Sequence, residues 1–232
     1  MSSDSPVELT PLSFEDTRVL GSLIEKELTT PDHYPLTLKA LQSACNQTTS
    51  REPLVNYSES TVMRSIERLK SEQWVYQIQM AGARVPKYRH NTAGKLEGIT
   101  QAGLALLSTL LLRGAQTVGE LRQRTERMHA FPDLASTEEA LTDLIAHPAG
   151  PLVACFLPGQ GRRVSVYVHL LSGEVESPDI PLAPASASTP IQDSHDNDPQ
   201  PSGDWKSRME AQIELLKMEV SRLKQRLEDI ES

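Results

Sequence analysis

One order of elements occurs twice along the chain, and that repeat constrains the fold more than any other feature. Between Leu12 and His90 the apolar periodicity runs helix, helix, helix, strand, turn, strand, and between Ile99 and Leu170 the same order returns. In the first unit Phe14, Val19, Leu20, Leu23, Ile24 and Leu28 recur at helical spacing behind Ser13, which can cap the N-terminus. After a loop holding Pro31 and Pro35, Thr37 opens a short helix through Leu38, Leu41 and Ala44. Ser58 can cap a third helix, with Val62, Ile66 and Leu69 on one face. The runs Trp74–Gln79 and Val85–His90 flank Ala81-Gly-Ala and predict a hairpin, with Pro86 marking its second strand as an edge.

The second unit is punctuated more sharply. Thr100 precedes a helix carrying Leu104, Leu107, Leu110 and Leu111, which stops at Gly114. Thr117 with Glu120, and Ser136 with Glu139, read as capping boxes opening two further helices. The segments from Leu152 and from Arg163 surround Pro158-Gly-Gln-Gly-Arg162 as a second hairpin. Three helices ending in a hairpin within 70–80 residues make the winged-helix plan, a helix-turn-helix variant. The expected class is mainly α with small β-hairpins (α+β), as tandem winged-helix domains at 13–92 and 99–170 behind a flexible N-terminus at 1–12.

Composition shifts after Leu170. Residues 171–205 carry 7 acids and no Lys or Arg, are rich in Pro, Ser and Ala, and are expected to be a disordered acidic linker. In residues 206–232, Met209, Ile213, Leu216, Val220, Leu223, Leu227 and Ile230 alternate at spacings of four and three. That is a coiled-coil seam suited to a homodimer or to another protein's helix.

This distribution decides what the net charge of −8 means. Residues 13–92 hold 10 Lys/Arg against 9 Asp/Glu, and residues 99–170 hold 6 of each, so the expected domains are nearly neutral. The acidity therefore does not exclude double-stranded DNA as a partner. The start of the chain lacks a basic, apolar signal-peptide pattern, and no apolar run could span a bilayer, so a cytoplasmic location without membrane contact is expected. Two cysteines far apart offer neither a disulfide framework nor a zinc site.

For DNA, the third helix of the first unit shows Arg64, Arg68 and Lys70 away from its apolar face, and the wing region adds Arg84, Lys87 and Arg89. Arg can fork onto guanine edges and any of these cations can meet phosphate. Against this, Glu59, Glu67 and Glu72 share the helix and could make it a solvated mixed-charge face. In the second unit Arg122, Arg124, Arg127, Arg162 and Arg163 are candidates, but the third helix carries Glu138, Glu139 and Asp143 and no cation. Asp32, His33, Asn46, Gln47, Arg51 and Glu52 crowd two loops and could form a partner site. They could equally tie the loops together, with Arg51 paired to Glu25 or Glu27. Six histidines without metal-ligand spacing, and no phosphate loop or nucleophile motif, point to a non-enzyme with no cofactor or metal. Cys45, beside Leu41 and Ala44, reads as a small buried hydrophobe.

The string from Ile24 to Pro53, continuing through Arg84-Val-Pro-Lys-Tyr-Arg-His, Leu111-Leu-Arg-Gly-Ala-Gln-Thr and Glu120-Leu-Arg-Gln-Arg-Thr, closely resembles the fingerprint of the YceH family, bacterial proteins mainly of unknown function. The resemblance covers Leu12 to Leu170 and implies tandem winged-helix domains, often with a heptad tail, and no established activity. Where that family has Lys or Asn before Arg51, this chain has Thr48-Thr-Ser, so no role of a basic residue in that loop carries over. The sequence thus supports two functions: a DNA-binding, regulator-like protein, or an interaction module that assembles through its coiled coil.

Overall fold

The computed structural model describes residues 9–79, 82, 84–158 and 163–175. Residues 1–8 of the N-terminus expected to be flexible, Arg162, most of the acidic linker and all seven positions of the coiled-coil seam lie outside the described residues.

The first half contains α1 (Phe14–Thr29), a 3-10 turn (Pro31–His33), β1 (Leu36–Thr37), α2 (Leu38–Cys45), α3 (Glu59–Ser71), β2 (Val75–Ile78) and β3 (Lys87–His90). A single turn, α4 (Thr92–Lys95), leads to α5 (Gln101–Arg113), α6 (Val118–Thr125), α7 (Leu134–Ile145), β4 (Val153–Phe156) and β5 (Val166–His169). The class is α+β, helices with small antiparallel sheets. Most helix starts follow from local chemistry. Ser13, Thr37, Ser58, Thr100 and Thr117 each accept a backbone N–H of the first turn, satisfying donors that the helix leaves open. Gly114, at φ 73°, ends α5 in a conformation that strains side-chain-bearing residues.

The two halves also match in small detail. Leu36 pairs with Tyr88 just before Thr37 caps α2, and Gln116 bridges Tyr167 just before Thr117 caps α6.

Two expectations are corrected. Pro86 does not put the second hairpin strand at an edge: the sheet order is β1-β3-β2, so β3 is central. Pro86 sits one residue before the ladder, where its missing N–H costs no strand bond, and the two-residue β1 covers the far side of β3. The helix expected to start from a box at Ser136 and Glu139 begins three residues earlier. There Asp133 caps α7 by accepting the Ser136 N–H at 2.8 Å, so Ser136 closes the box from inside the helix.

The halves do not stand apart. A single apolar cluster runs from Val19, Leu23, Ile24, Val62 and Ile66 to Leu106, Leu107, Leu110, Leu141 and Leu144. Its spine is the packing of α1 on α5, the most extensive helix pair. Gly21 makes that approach possible: a Cβ there would lie 3.0 Å from Leu111 Cβ and 3.0 Å from Leu112 Cγ. Across the same seam the Ser108 hydroxyl donates to Gly21 O at 3.1 Å. Leu106 and Leu112, on opposite flanks of the obvious stripe of α5, are both buried, as expected of a helix apolar on every side. The unit closes end to end, with Leu12 N–H donating to Leu171 O at 2.7 Å.

Candidate nucleic-acid interface

The candidate surface is the outer side of α3 together with the outer face of β2 and β3. Val62, Ser65, Ile66 and Leu69 bury one side of α3. The helical repeat therefore turns Ser60, Arg64, Glu67 and Ser71 to the opposite side, and all four are exposed. In the sheet the alternation is equally plain. Tyr88 and His90 are buried, whereas Arg89 is exposed and Lys87 half-buried on the other face. The register sets Arg89 opposite Tyr76 and Lys87 opposite Ile78, and the Arg89 guanidinium lies over the Tyr76 ring at 5.9 Å.

The six sequence candidates behave differently. Arg64 and Lys87 are free of ion pairs and hydrogen bonds to other described side chains. Arg84 is exposed in the connection ahead of β3. Lys70 is exposed and donates to Gln77 Oε1 at 2.9 Å. Arg68, although partly exposed, faces the start of α1. It forks onto Asp16, with Nη2 to Oδ1 at 2.8 Å and Nε to Oδ2 at 3.0 Å, and also reaches the Ser13 hydroxyl. Asp16 is itself half of the α1 capping box, so Arg68 is a strut between α3 and α1. The Asp16 hydrogen bonds raise the Arg68 pKa further, keeping this strut charged.

Acids temper the surface. Glu67 is exposed on α3 between Arg64 and Lys70. Glu27 contacts His90 Nε2 from behind β3, and that hydrogen bond holds the Glu27 carboxyl below its usual range despite burial.

The loop residues do not converge on one site. Asp32 and His33 are exposed on the 3-10 turn. Asn46 bonds the Tyr57 backbone twice, each at 2.8 Å. Gln47 accepts from Arg51 Nη2 at 2.9 Å, and the backbone N–H of exposed Glu52 reaches Leu112 O at 2.9 Å. Arg51 is buried and pairs with Glu25.

In the second half, Glu138, Glu139 and Asp143 are exposed on α7. Arg122 is spent on Phe131 O and Pro132 O, and Arg124 on Gln116 and Glu120, while Arg163 is exposed. Sequence reasoning missed Arg18, which is fully buried, has no carboxylate partner and donates to Pro53 O at 2.8 Å. Only its place among apolar neighbours one helical turn before Ser22 hinted at burial. Among the described residues no cluster of His, Cys, Asp or Glu could hold a metal, and no helix is long and apolar enough to cross a membrane.

Comparison with known proteins adds a family. Residues 12–163 match the family described as "Protein of unknown function, DUF480". A UPF0502 protein of Geotalea uraniireducens is 51% identical over 170 residues, covering 73% of this chain and 76% of the relative. A UPF0502 protein of Saccharophagus degradans is 42% identical over 93% of this chain and 98% of its own. One of Serratia proteamaculans is 39% identical over 94% of both.

Proposed function

The chain belongs to the DUF480 family, and for this member we propose a DNA-binding, regulator-like role without catalysis. The scaffold of that role is a pair of winged helices, with α3 as the reading helix and β2–β3 as the wing. The observation that carries it is the placement of cations. Arg64 stands on the solvent side of the third helix, and Lys87 and Arg89 stand on the outer face of the hairpin that follows, where a winged helix meets groove and flanking backbone. Arg64 and Lys87 are free of protein partners among the described residues, so duplex DNA would not have to break ion pairs to engage them. α7 is no second reader, because its exposed face is acidic.

The test is a fluorescence-anisotropy titration of the full chain with mixed-sequence duplex DNA at low and physiological salt. The expected affinity falls steeply with salt, and an Arg64→Ala/Lys87→Ala double variant flattens the log–log slope by about 1.8, near 0.9 for each phosphate that is no longer neutralised. Arg68→Ala serves as the contrast: it lowers the melting temperature more than the salt slope, because Asp16 already holds that guanidinium. No binding by the full chain at tens of micromolar protein in low salt would sink the DNA role. The assembly function would then stand, with protein partners sought for the heptad segment 206–232.

A further inference from the structure

Docking α5 on α1 creates a cleft that neither half contains alone. It measures about 170 Å³ and lies where the end of α1, the Gln47–Ser50 loop and the end of α6 meet. Its walls are polar. Lys26 comes from the first half, Arg124 and Arg127 from the second, with Gln47, Thr49 and Ser50 between them.

The charges do not cancel. Glu25 is the acid in the wall, and both its oxygens are taken, Oε1 by Arg51 Nη1 at 3.0 Å and Oε2 by Arg51 Nη2 at 2.6 Å. Arg124 is matched by Glu120 at 3.1 Å. Lys26 shares the already bonded Glu25 at 3.3 Å and donates to Gln47 Oε1 at 3.2 Å, while Arg127 is exposed with no bonded partner among the described residues. With the two Arg–Glu pairs set aside, Lys26 and Arg127 are the excess positive charges of the wall, one on each half, and of the two Arg127 is the one without a bonded partner among the described residues. The crowding extends behind the wall. Arg113 has its pKa lowered, first by burial and then by the like charges of Arg124 and Arg51.

Two α1 carbonyls of cleft-lining residues already accept hydrogen bonds, which lessens their repulsion of an anion. Thr29 Oγ1 donates to Glu25 O at 2.8 Å, and Thr30 donates to Lys26 O through both N–H and hydroxyl.

We propose that this cleft binds a phosphate group, held between Lys26 on one half and Arg127 on the other. Lys suits a phosphate as a point charge, and Arg127 can fork onto two of its oxygens. The volume admits one phosphate with a small attached group, not a stacked base pair, so the ligand is a small phosphorylated molecule or a single backbone phosphate of a nucleic acid. This goes beyond the DNA-reading face, because none of its residues belongs to α3 or the wing. A ligand gripping both halves would favour the docked arrangement of α1 and α5 over any looser one.

Thermal unfolding of the full chain in sodium phosphate, against sodium chloride of equal ionic strength, tests this. At a tenfold excess over Kd, phosphate is expected to raise the melting temperature by about 3–6 °C beyond chloride. Phosphate also stabilises proteins through exclusion from their surfaces, so the comparison with variants decides. Arg127→Gln, at an exposed side chain with no bonded partner among the described residues, should lose at least half of the added shift, and Lys26→Gln/Arg127→Gln all of it. An added shift that is absent in the wild type, or equal in the double variant, would overturn the proposal. Duplex DNA titrated onto the double variant then assigns the source. Weakened binding makes the phosphate one of a nucleic acid, and unchanged binding makes it a small ligand; either result stands whether or not α3 reads DNA.

Discussion

Replacing Arg51 by Ala is expected to be among the most damaging single substitutions in the described unit. Its guanidinium has five N–H donors, and all five have acceptors. Nε donates to Ala44 O at 3.0 Å, Nη1 to Glu25 Oε1 and Ser50 O, and Nη2 to Glu25 Oε2 and Gln47 Oε1. The side chain is 0% exposed. Arg51→Ala would strand two backbone acceptors, Ala44 O and Ser50 O, and leave the buried Glu25 carboxylate with Lys26 alone. Breaking one side of such a pair costs about 3–5 kcal/mol, roughly a fifth or more of a typical domain's ~5–15 kcal/mol.

The pH dependence gives a second, independent reading. Burial by itself would raise the Glu25 pKa, but hydrogen bonds and charge from Arg51, helped by Lys26, outweigh it and hold the carboxyl below its usual range. A depressed folded pKa means the contribution is present above the unfolded value, near 4.3, and is lost as pH falls through the folded one. Without Arg51 only the smaller contribution of Lys26 opposes the burial, so the folded pKa is expected to rise above the unfolded one and the sign to invert. The variant should gain stability as pH falls from 7 toward 5, while the wild type does not gain from this group. Urea unfolding followed by circular dichroism at pH 7 and pH 5 measures both. A loss below ~1 kcal/mol at pH 7, or a variant with the wild-type pH trend, would refute the account of Arg51 as the neutraliser of a buried charge.

Two further expectations concern the core. Gly21→Leu forces side-chain atoms into space that a Cβ alone would enter at 3.0 Å from Leu111 and Leu112. It should cost at least ~1–3 kcal/mol and lower one common transition, not split off a first-half transition, because the cluster spans both halves; differential scanning calorimetry distinguishes the two. Cys45 is 0% exposed, and burial pushes its thiol up to about 11. In native protein at pH 8, Ellman's reagent should titrate the half-exposed Cys155 readily and Cys45 only on unfolding; prompt reaction of both would contradict that burial.

Much of this fold is legible residue by residue, and the illegible parts share a cause. Caps are local, so Ser13, Thr37, Ser58, Thr100 and Thr117 declare themselves within three residues. The one misplaced start, at α7, offers two local patterns, Asp133 with Ser136 and Ser136 with Glu139, and periodicity does not choose between them. The central position of β3 depends on a two-residue partner fifty residues away, too short to show any alternation. The role of Arg68 depends on Asp16, 52 residues off, so a cation that suits DNA in the sequence is a strut in the fold. The pairing of Arg51 with an acid of α1 is open to chemistry alone, since an Arg that ties a polar loop to a helix carrying Glu25 and Glu27 has a carboxylate to meet there. The phosphate cleft is not, because its walls come from segments that only the docking of α1 on α5 brings together. Leu112 is the signal for that docking: a stripe of Leu104, Leu107, Leu110 and Leu111 accounts for one face of α5 and leaves Leu112, which lies against Gly21, needing cover.

That docking also sets a timetable for synthesis. The bond between Ser108 and Gly21 joins residues 87 apart, and ribosomes add about 5–20 residues each second. The face of α1 that will receive Leu111 and Leu112 therefore waits roughly 4–17 s at those rates before its cover has been made. The Leu12–Leu171 bond waits longer still. During that interval a nascent first half offers an apolar helix face to whatever is nearby, and a holding chaperone or a sister chain on the same message would be well placed to meet it.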